Sequence, residues 1–280
     1  MNKYSSKECL DAFCARMNQK ANELGMCRSC FGDPAGITNH STAFDIMQAL
    51  QAAYKNETIK NVLKCEVYTA HIEGEQPREY TFDSKAKVGK GYRCLRDYYD
   101  LMAAKGGTLT KPHIFNLASI VRLPDADTEL ACVIMKAADS GDGPLNRFEA
   151  TKQAVDAALE VLRGGQAGEI CAQSVYVCSV ADGKVLVSKN ADECIMPAST
   201  TKLLTALTVL EYVDDLNTRL PVTQDMIDLF PSGFYTGDFL PGDSVSLIDL
   251  LHAMMLPSSN TACFIMGCYV GGILLSSQAK

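Results

Sequence analysis

Between Ser6 and Gly25, Leu10, Phe13, Met17, Ala21 and Leu24 recur at three- and four-residue steps, which predicts an amphipathic helix over 6–25. Gly25 ends it, and a loop carrying Cys27, Cys30, Asp33, Pro34 and Gly36 follows. Ser41 or Thr42 caps a second helix, 43–54, with Phe44, Ile46, Met47 and Leu50 facing inward. The period then shortens. Residues 62–72 and 78–83 read as two strands around the polar turn Glu73-Gly74-Glu75. The lysine-bearing stretch 83–92 reads as a solvated loop, and 93–102 fits neither period. Runs at 105–108, 115–123 and 129–136 predict neighbouring strands of an antiparallel sheet. Pro144 to Phe148 opens a helix reaching Leu162.

In the second half, 172–180 and 184–189 are rich in β-formers and flank Ala181-Asp182-Gly183, a strong hairpin signal. A helix over about 200–213 carries the apolar stripe Leu203, Leu204, Leu207 and Leu210. Residues 217–244 hold Pro221, Pro231, Gly233, Gly237, Pro241 and Gly242 and read as loop. Helices follow at 245–255 and 261–269, and 273–280, after Gly271-Gly272, reads as a short terminal extension. The sum is an α+β chain: an antiparallel sheet flanked by helices, plus a mostly helical lobe.

Composition narrows the function classes. The 280 residues suffice for a large core, and 47% hydrophobic with 21% charged residues is ordinary for a globular protein. A formal net charge of −7 gives a nucleic-acid partner no electrostatic support. The longest apolar run, 262–275, is interrupted by three glycines and falls short of the ~18–20 residues of a membrane span, so no transmembrane segment is expected. The first residues do not resemble a signal peptide. The 12 cysteines are scattered, and Cys27-Arg28-Ser29-Cys30 has no second pair at ligand spacing, so most read as free thiols and no metal or cofactor is expected.

Candidate chemistry centres on Pro197-Ala198-Ser199-Thr200-Thr201-Lys202. Ser199 and Lys202 lie three apart at a helix start, on one face. A serine hydroxyl becomes a nucleophile when a base takes its proton, and a lysine amine serves as base where burial or nearby positive charge favours its neutral form. Ser258-Ser259-Asn260 supplies a second hydroxyl and an amide in a loop that opens a helix. Lys105-Gly106-Gly107-Thr108 supplies a cation beside glycines that let a substrate backbone approach an edge strand.

Ser-x-x-Lys, Ser-x-Asn and Lys-[Thr/Ser/Gly]-Gly together form the constellation of the penicillin-recognising serine enzymes. The resemblance extends further. Residues 176–193 resemble the strand pair before the nucleophile in D-alanyl-D-alanine carboxypeptidases, 255–262 their second motif, and 31–45 their segment between the second and third motifs. The chain resembles a low-molecular-mass penicillin-binding protein over most of 8–270. That implies a β-lactamase/DD-transpeptidase-like fold, peptidoglycan peptides ending in D-Ala-D-Ala as substrates, β-lactams as acylating mimics and an extracytoplasmic place in the cell envelope.

The motif order departs from the family, where Ser-x-x-Lys comes first and Lys-x-Gly last. Here 1–163 resemble the family's C-terminal part and 171–280 its N-terminal part, with 164–170 as the joint, so a circularly permuted single catalytic domain is expected. Its two ends, near residues 6 and 270, should then meet.

In this reading Ser199 attacks, Lys202 takes its proton with Lys105 as the second cation, and Ser258 relays the proton to the leaving amine. Asn260 orients Lys202 and the substrate amide, and the N–H groups of Ser199 and Thr108 form the oxyanion hole. Gly106, Gly107, Thr108, Thr110 and His40 are assigned to substrate binding. Gly106 stands where relatives carry threonine or serine. Ser-Lys chemistry leaves the leaving group open: a β-lactamase, an esterase, a β-lactam sensor and a non-catalytic scaffold share these motifs.

Overall fold

The computed structural model describes residues 4–84, 95, 97–124, 128–138 and 146–279. Most of the expected loop 83–92 and the expected helix opening at Pro144 and Leu145 lie outside these residues.

α1 (Ser6–Glu23) begins at a capping box in which the Ser5 hydroxyl accepts from the Glu8 N–H and the Glu8 carboxylate accepts from Ser5 N–H. α2 (Ala43–Lys55) is capped by Thr42. The period-2 reading of 62–72 needs correction at its start. Asn56 caps α3 (Glu57–Lys64), whose Ile59, Val62 and Leu63 form one buried helical face, and β1 (Val67–Gly74) follows. β1 pairs with β2 (Arg78–Asp83) as a hairpin.

β3 (Asp100–Leu109), β4 (Ile114–Arg122), β5 (Glu129–Ala137), β6 (Ala172–Ser179) and β7 (Val185–Lys189) form a five-stranded antiparallel sheet in that order. Its central strands are apolar on both faces because both are covered. Leu117, Val121, Leu130, Cys132, Ile134, Val175 and Val177 meet α4 (Asn146–Leu162) on one face. Ala118, Ile120, Ala131, Val133, Met135 and Cys178 meet the helical lobe on the other. Residues 163–171 carry the chain from α4 into β6, which lies beside β5 under the same helix.

The segment carrying Ser199 starts as a 3-10 turn, Ala198–Thr201, and becomes α5 (Lys202–Leu210), three residues shorter at its C-terminus than the expected 200–213. The loop-rich stretch contains β8 (Arg219–Pro221) and one helical turn, α6 (Gln224–Ile227). The expected helix 245–255 divides at Ser246. That residue ends β9 (Asp243–Ser246) and caps α7 (Leu247–Met255). A second sheet orders β2, β1, β9 and β8.

α8 (Asn260–Gln278) is a further correction: the helix runs through Gly271-Gly272 instead of stopping near 269. A Cβ on Gly271 would lie 1.8 Å from the Cys9 carbonyl oxygen, so glycine there lets α1 and α8 touch backbone to backbone. Cys268 Sγ donates to Ser6 O at 3.5 Å, and Tyr4 Oη to Leu275 O at 3.2 Å, so the segments near 6 and 270 meet. By length and composition α8 is long and apolar enough to cross a membrane, and 56% of its most apolar window is buried within the fold, as in the core helix of a globular protein.

Candidate active site

Three elements converge on one cleft: the 3-10 turn before α5, the loop between α7 and α8, and the edge strand β3. The Lys202 side chain is fully buried, and its Nζ lies 3.0 Å from Ser199 Oγ, 3.1 Å from Ser258 Oγ, 2.8 Å from Ser258 O and 2.7 Å from Asn260 Oδ1. Asn260 Nδ2 donates to Phe234 O at 2.9 Å, which turns Oδ1 toward the lysine. The Ser258 carbonyl and Asn260 Oδ1 can only accept, so they occupy two N–H groups of the amine. Its remaining direction faces hydroxyls, which can donate. This is the arrangement of a lysine that takes a proton from serine.

Lys105, 2% exposed, comes from β3 and donates to Ser258 Oγ at 2.8 Å and to Gly106 O at 3.1 Å. The Ser258 hydroxyl therefore bridges the two lysines. Ser258 itself holds φ +70°, and Ala198 next to the nucleophile holds φ +49°. Both are left-handed conformations that non-glycine residues rarely adopt, here at the two turns that present hydroxyls to the cleft.

Two elements close on the nucleophile turn. On one side Gly107 of β3 lies against it: a Cβ there would sit 2.7 Å from Pro197 O and 3.1 Å from Ser199 N. On the other, the loop 33–39 presses in, and a Cβ on Gly36 would meet Ala198 O at 1.9 Å. That loop is tied by the buried Asp33 carboxylate, which accepts from the N–H groups of Ala35, Gly36 and Thr38 at 2.8, 2.7 and 2.7 Å. Pro34 O accepts from Thr205 Oγ1 of α5 at 2.7 Å, and Asn39 Nδ2 donates to Thr201 Oγ1 at 3.2 Å.

A cavity of about 230 Å³ opens over these groups, lined by Lys105, Gly106, Thr108, Ser199, Ser258 and Asn260 together with Arg147, Thr236, Met255 and Leu256. Arg147 is the residue that sequence reasoning missed. It stands on the first turn of α4, and its Nη1 donates to Thr108 Oγ1 at 2.9 Å. Burial pushes its pKa down to about 10, and its Nε has no hydrogen-bond partner among the described residues. The one available signal was Gly106. A Cβ there would lie 2.8 Å from the guanidinium carbon, so glycine in place of the family's threonine or serine makes room for the arginine. Thr236 was also missed; its hydroxyl lies 2.9 Å from Thr261 Oγ1.

Three residues assigned to substrate binding are absent from the cavity lining: Gly107, which packs against the Ser199 turn, His40 and Thr110. His40 is exposed, pairs through its backbone with Cys30 and is not among the residues that line the cavity. Its place beside the 43–55 helix is set by that bridge. Thr110 is exposed in the turn after β3, where its carbonyl accepts from His113 N–H, and it too is absent from the lining. Cys263, fully buried behind the lysines, is pushed up to about 12 by burial and stays a neutral thiol. Among the described residues no group of His, Cys, Asp or Glu could hold a metal ion, and Cys27 and Cys30 are free and exposed.

The family model of the D-alanyl-D-alanine carboxypeptidases, peptidase family S11, matches residues 161–275. The match is to that segment, less than half of the 280-residue chain. It contains Ser199, Lys202, Ser258 and Asn260, whereas Lys105 and Arg147 lie outside the match. D-alanyl-D-alanine carboxypeptidase DacC of Escherichia coli strain K12 is 33% identical over 117 residues, which cover 38% of this chain and 28% of the relative. D-alanyl-D-alanine carboxypeptidase DacF of Bacillus subtilis strain 168 is 26% identical over 105 residues, covering 36% of this chain and 26% of the relative. The matched segments thus span little more than a quarter of either relative. No solved structure matches the chain.

Proposed function

We propose that the protein is a serine-type D-alanyl-D-alanine carboxypeptidase that works through an acyl-enzyme on Ser199. The observation that carries this reading is Lys202 Nζ 3.0 Å from Ser199 Oγ, with Lys105 and Ser258 completing the chain of proton-carrying groups. Lys202 takes the serine proton as Oγ attacks the penultimate D-alanine carbonyl. Ser258, in contact with both lysines, passes a proton to the leaving amine. The N–H groups of Ser199 and Thr108 receive the oxyanion, where one donor is worth roughly 3–4 kcal/mol. D-alanine leaves as the acyl-enzyme forms, and water then hydrolyses the ester, releasing the shortened peptide and the Ser199 hydroxyl.

Arg147 and Lys105 anchor the terminal carboxylate. A buried guanidinium at the end of a cleft beside the nucleophile fits a peptide that ends there, and a β-lactam carboxylate fits the same place. The likeness to the family supports a peptidoglycan peptide as substrate and the cell envelope as the working place.

The same reading includes a circular permutation, with 1–163 and 171–280 as the family's C- and N-terminal parts. It is supported by β6 and β7, the expected first hairpin, lying beside β5 under α4. The meeting of α1 with α8 supports it too.

Release of D-alanine from a short peptide ending in D-Ala-D-Ala tests the activity. Steady release by the parent protein and none by Ser199→Ala is expected. A burst of one D-alanine per chain with no further release would make the protein an acylated sensor without turnover, and no reaction would remove the assignment.

A further inference from the structure

Asn116 lies on β4, fully buried, opposite Gly107 of β3 in the antiparallel register. Residues opposite each other share a face, so its side chain points to the side on which Gly107 leaves space for the nucleophile turn. The carboxamide uses both its ends. Nδ2 donates to Met196 O at 2.9 Å and to Pro197 O at 3.0 Å, and Oδ1 accepts from Lys136 N–H at 2.8 Å. Because Oδ1 meets a backbone donor, the two amide hydrogens must face the two carbonyls, and only asparagine-type chemistry satisfies all three contacts. Those carbonyls belong to the two residues before Ala198, whose φ of +49° is disfavoured for alanine. Pro197 O also accepts from Thr200 Oγ1 at 2.8 Å, so the clamp holds the first turn of the segment that carries Ser199.

We infer that Asn116 is a positioning residue for Ser199: its carboxamide fixes the carbonyls of Met196 and Pro197 and so holds the strained turn that presents the nucleophile. The inference deepens the reading above and rests on Ser199 being the nucleophile. Asn116 touches no substrate. Its effect is therefore on the rate at which bound substrate reacts, because a reacting atom displaced by ~1 Å costs on the order of 100-fold.

The test is Asn116→Asp, which keeps the shape and the acceptor for Lys136 but turns an oxygen toward two carbonyl oxygens. With a labelled penicillin as probe, the limiting acylation rate should fall about 10- to 100-fold while the half-saturating concentration holds. Hydrogen exchange over 196–202 should quicken while 129–137 keeps its protection. Parent-like acylation together with parent-like exchange overturns the clamp. Should Asn116→Asp not fold, Asn116→Ser takes the same two measurements, its shorter hydroxyl being unable to hold both carbonyls. If the parent itself is not acylated, the reading of Ser199 fails, and the exchange measurement still decides whether Asn116 holds the turn.

Discussion

The ammonium of Lys105 donates to the hydroxyl of Ser258 at 2.8 Å across 153 residues of chain. That contact joins the edge strand of the sheet to the helical lobe and links the two lysines through one oxygen, since Lys202 Nζ lies 3.1 Å from the same hydroxyl. The two lysines nonetheless differ in role. Lys202→Ala removes the base and should abolish acylation by a labelled penicillin. Lys105→Ala should slow acylation by carboxylated ligands more than by their esters, because the proposed mechanism assigns its charge to the substrate carboxylate. Pre-steady-state acylation with both ligand types checks this. Equal rates for parent and Lys105→Ala with both would displace Lys105 from the site.

Arg147 makes a separable prediction. A hydrogen bond to a charged group contributes about 1.5–3 kcal/mol, so Arg147→Leu should raise KM for a D-Ala-D-Ala peptide about 10- to 100-fold. Reaction with a substrate whose terminal carboxylate is masked should change little. Steady-state kinetics with the acid and its amide reads the difference, and a uniform loss on both would make Arg147 a support for β3 alone.

Much of the site was legible because its signals are local. Ser199 and Lys202 share a helix face by spacing, and Ser258 and Asn260 sit in one loop. Arg147 was invisible for the opposite reason: it is a single arginine opening an amphipathic helix, and only the strand it crosses gives it meaning. His40 lies outside the cavity lining, in a loop held by a backbone bridge to Cys30 that no spacing encodes. In the fold, Val62 and Leu63 read as strand because two adjacent apolar residues fit either period, while Asn56 as cap decides for helix. Gly271-Gly272 read as a break, whereas the glycines serve close packing of α1 on α8.

That packing can be tested directly. Gly271→Ala places a methyl group where the Cys9 carbonyl lies 1.8 Å from an ideal Cβ, so the helices must part. Overpacking of this kind costs about 1–3 kcal/mol. Chemical denaturation should show a lowered midpoint with an unchanged slope, and an unchanged midpoint would contradict the close approach.

His252 carries a pH dependence. Its ring stacks on Tyr68 with centroids 3.5 Å apart, and burial lowers its pKa from the ordinary 6.5, against smaller opposing effects of the Ile248 carbonyl and Asp249. The unfolded chain therefore takes up a proton first, and stability is lost as the pH falls through about 6.5. Thermal melts of the parent should drop between about pH 7.5 and 5.5 more steeply than those of His252→Phe. Parallel pH profiles for the two proteins would show that His252 is not responsible.

The central claim is that Ser199, activated by Lys202, is the nucleophile. The most direct measurement is mass mapping of the adduct formed with a labelled penicillin. The account predicts one adduct per chain on the peptide containing Ser199, absent in Ser199→Ala, whose fold is retained because one cleft hydroxyl is removed. An adduct on Ser258 or any other residue, or labelling that survives Ser199→Ala, would contradict it.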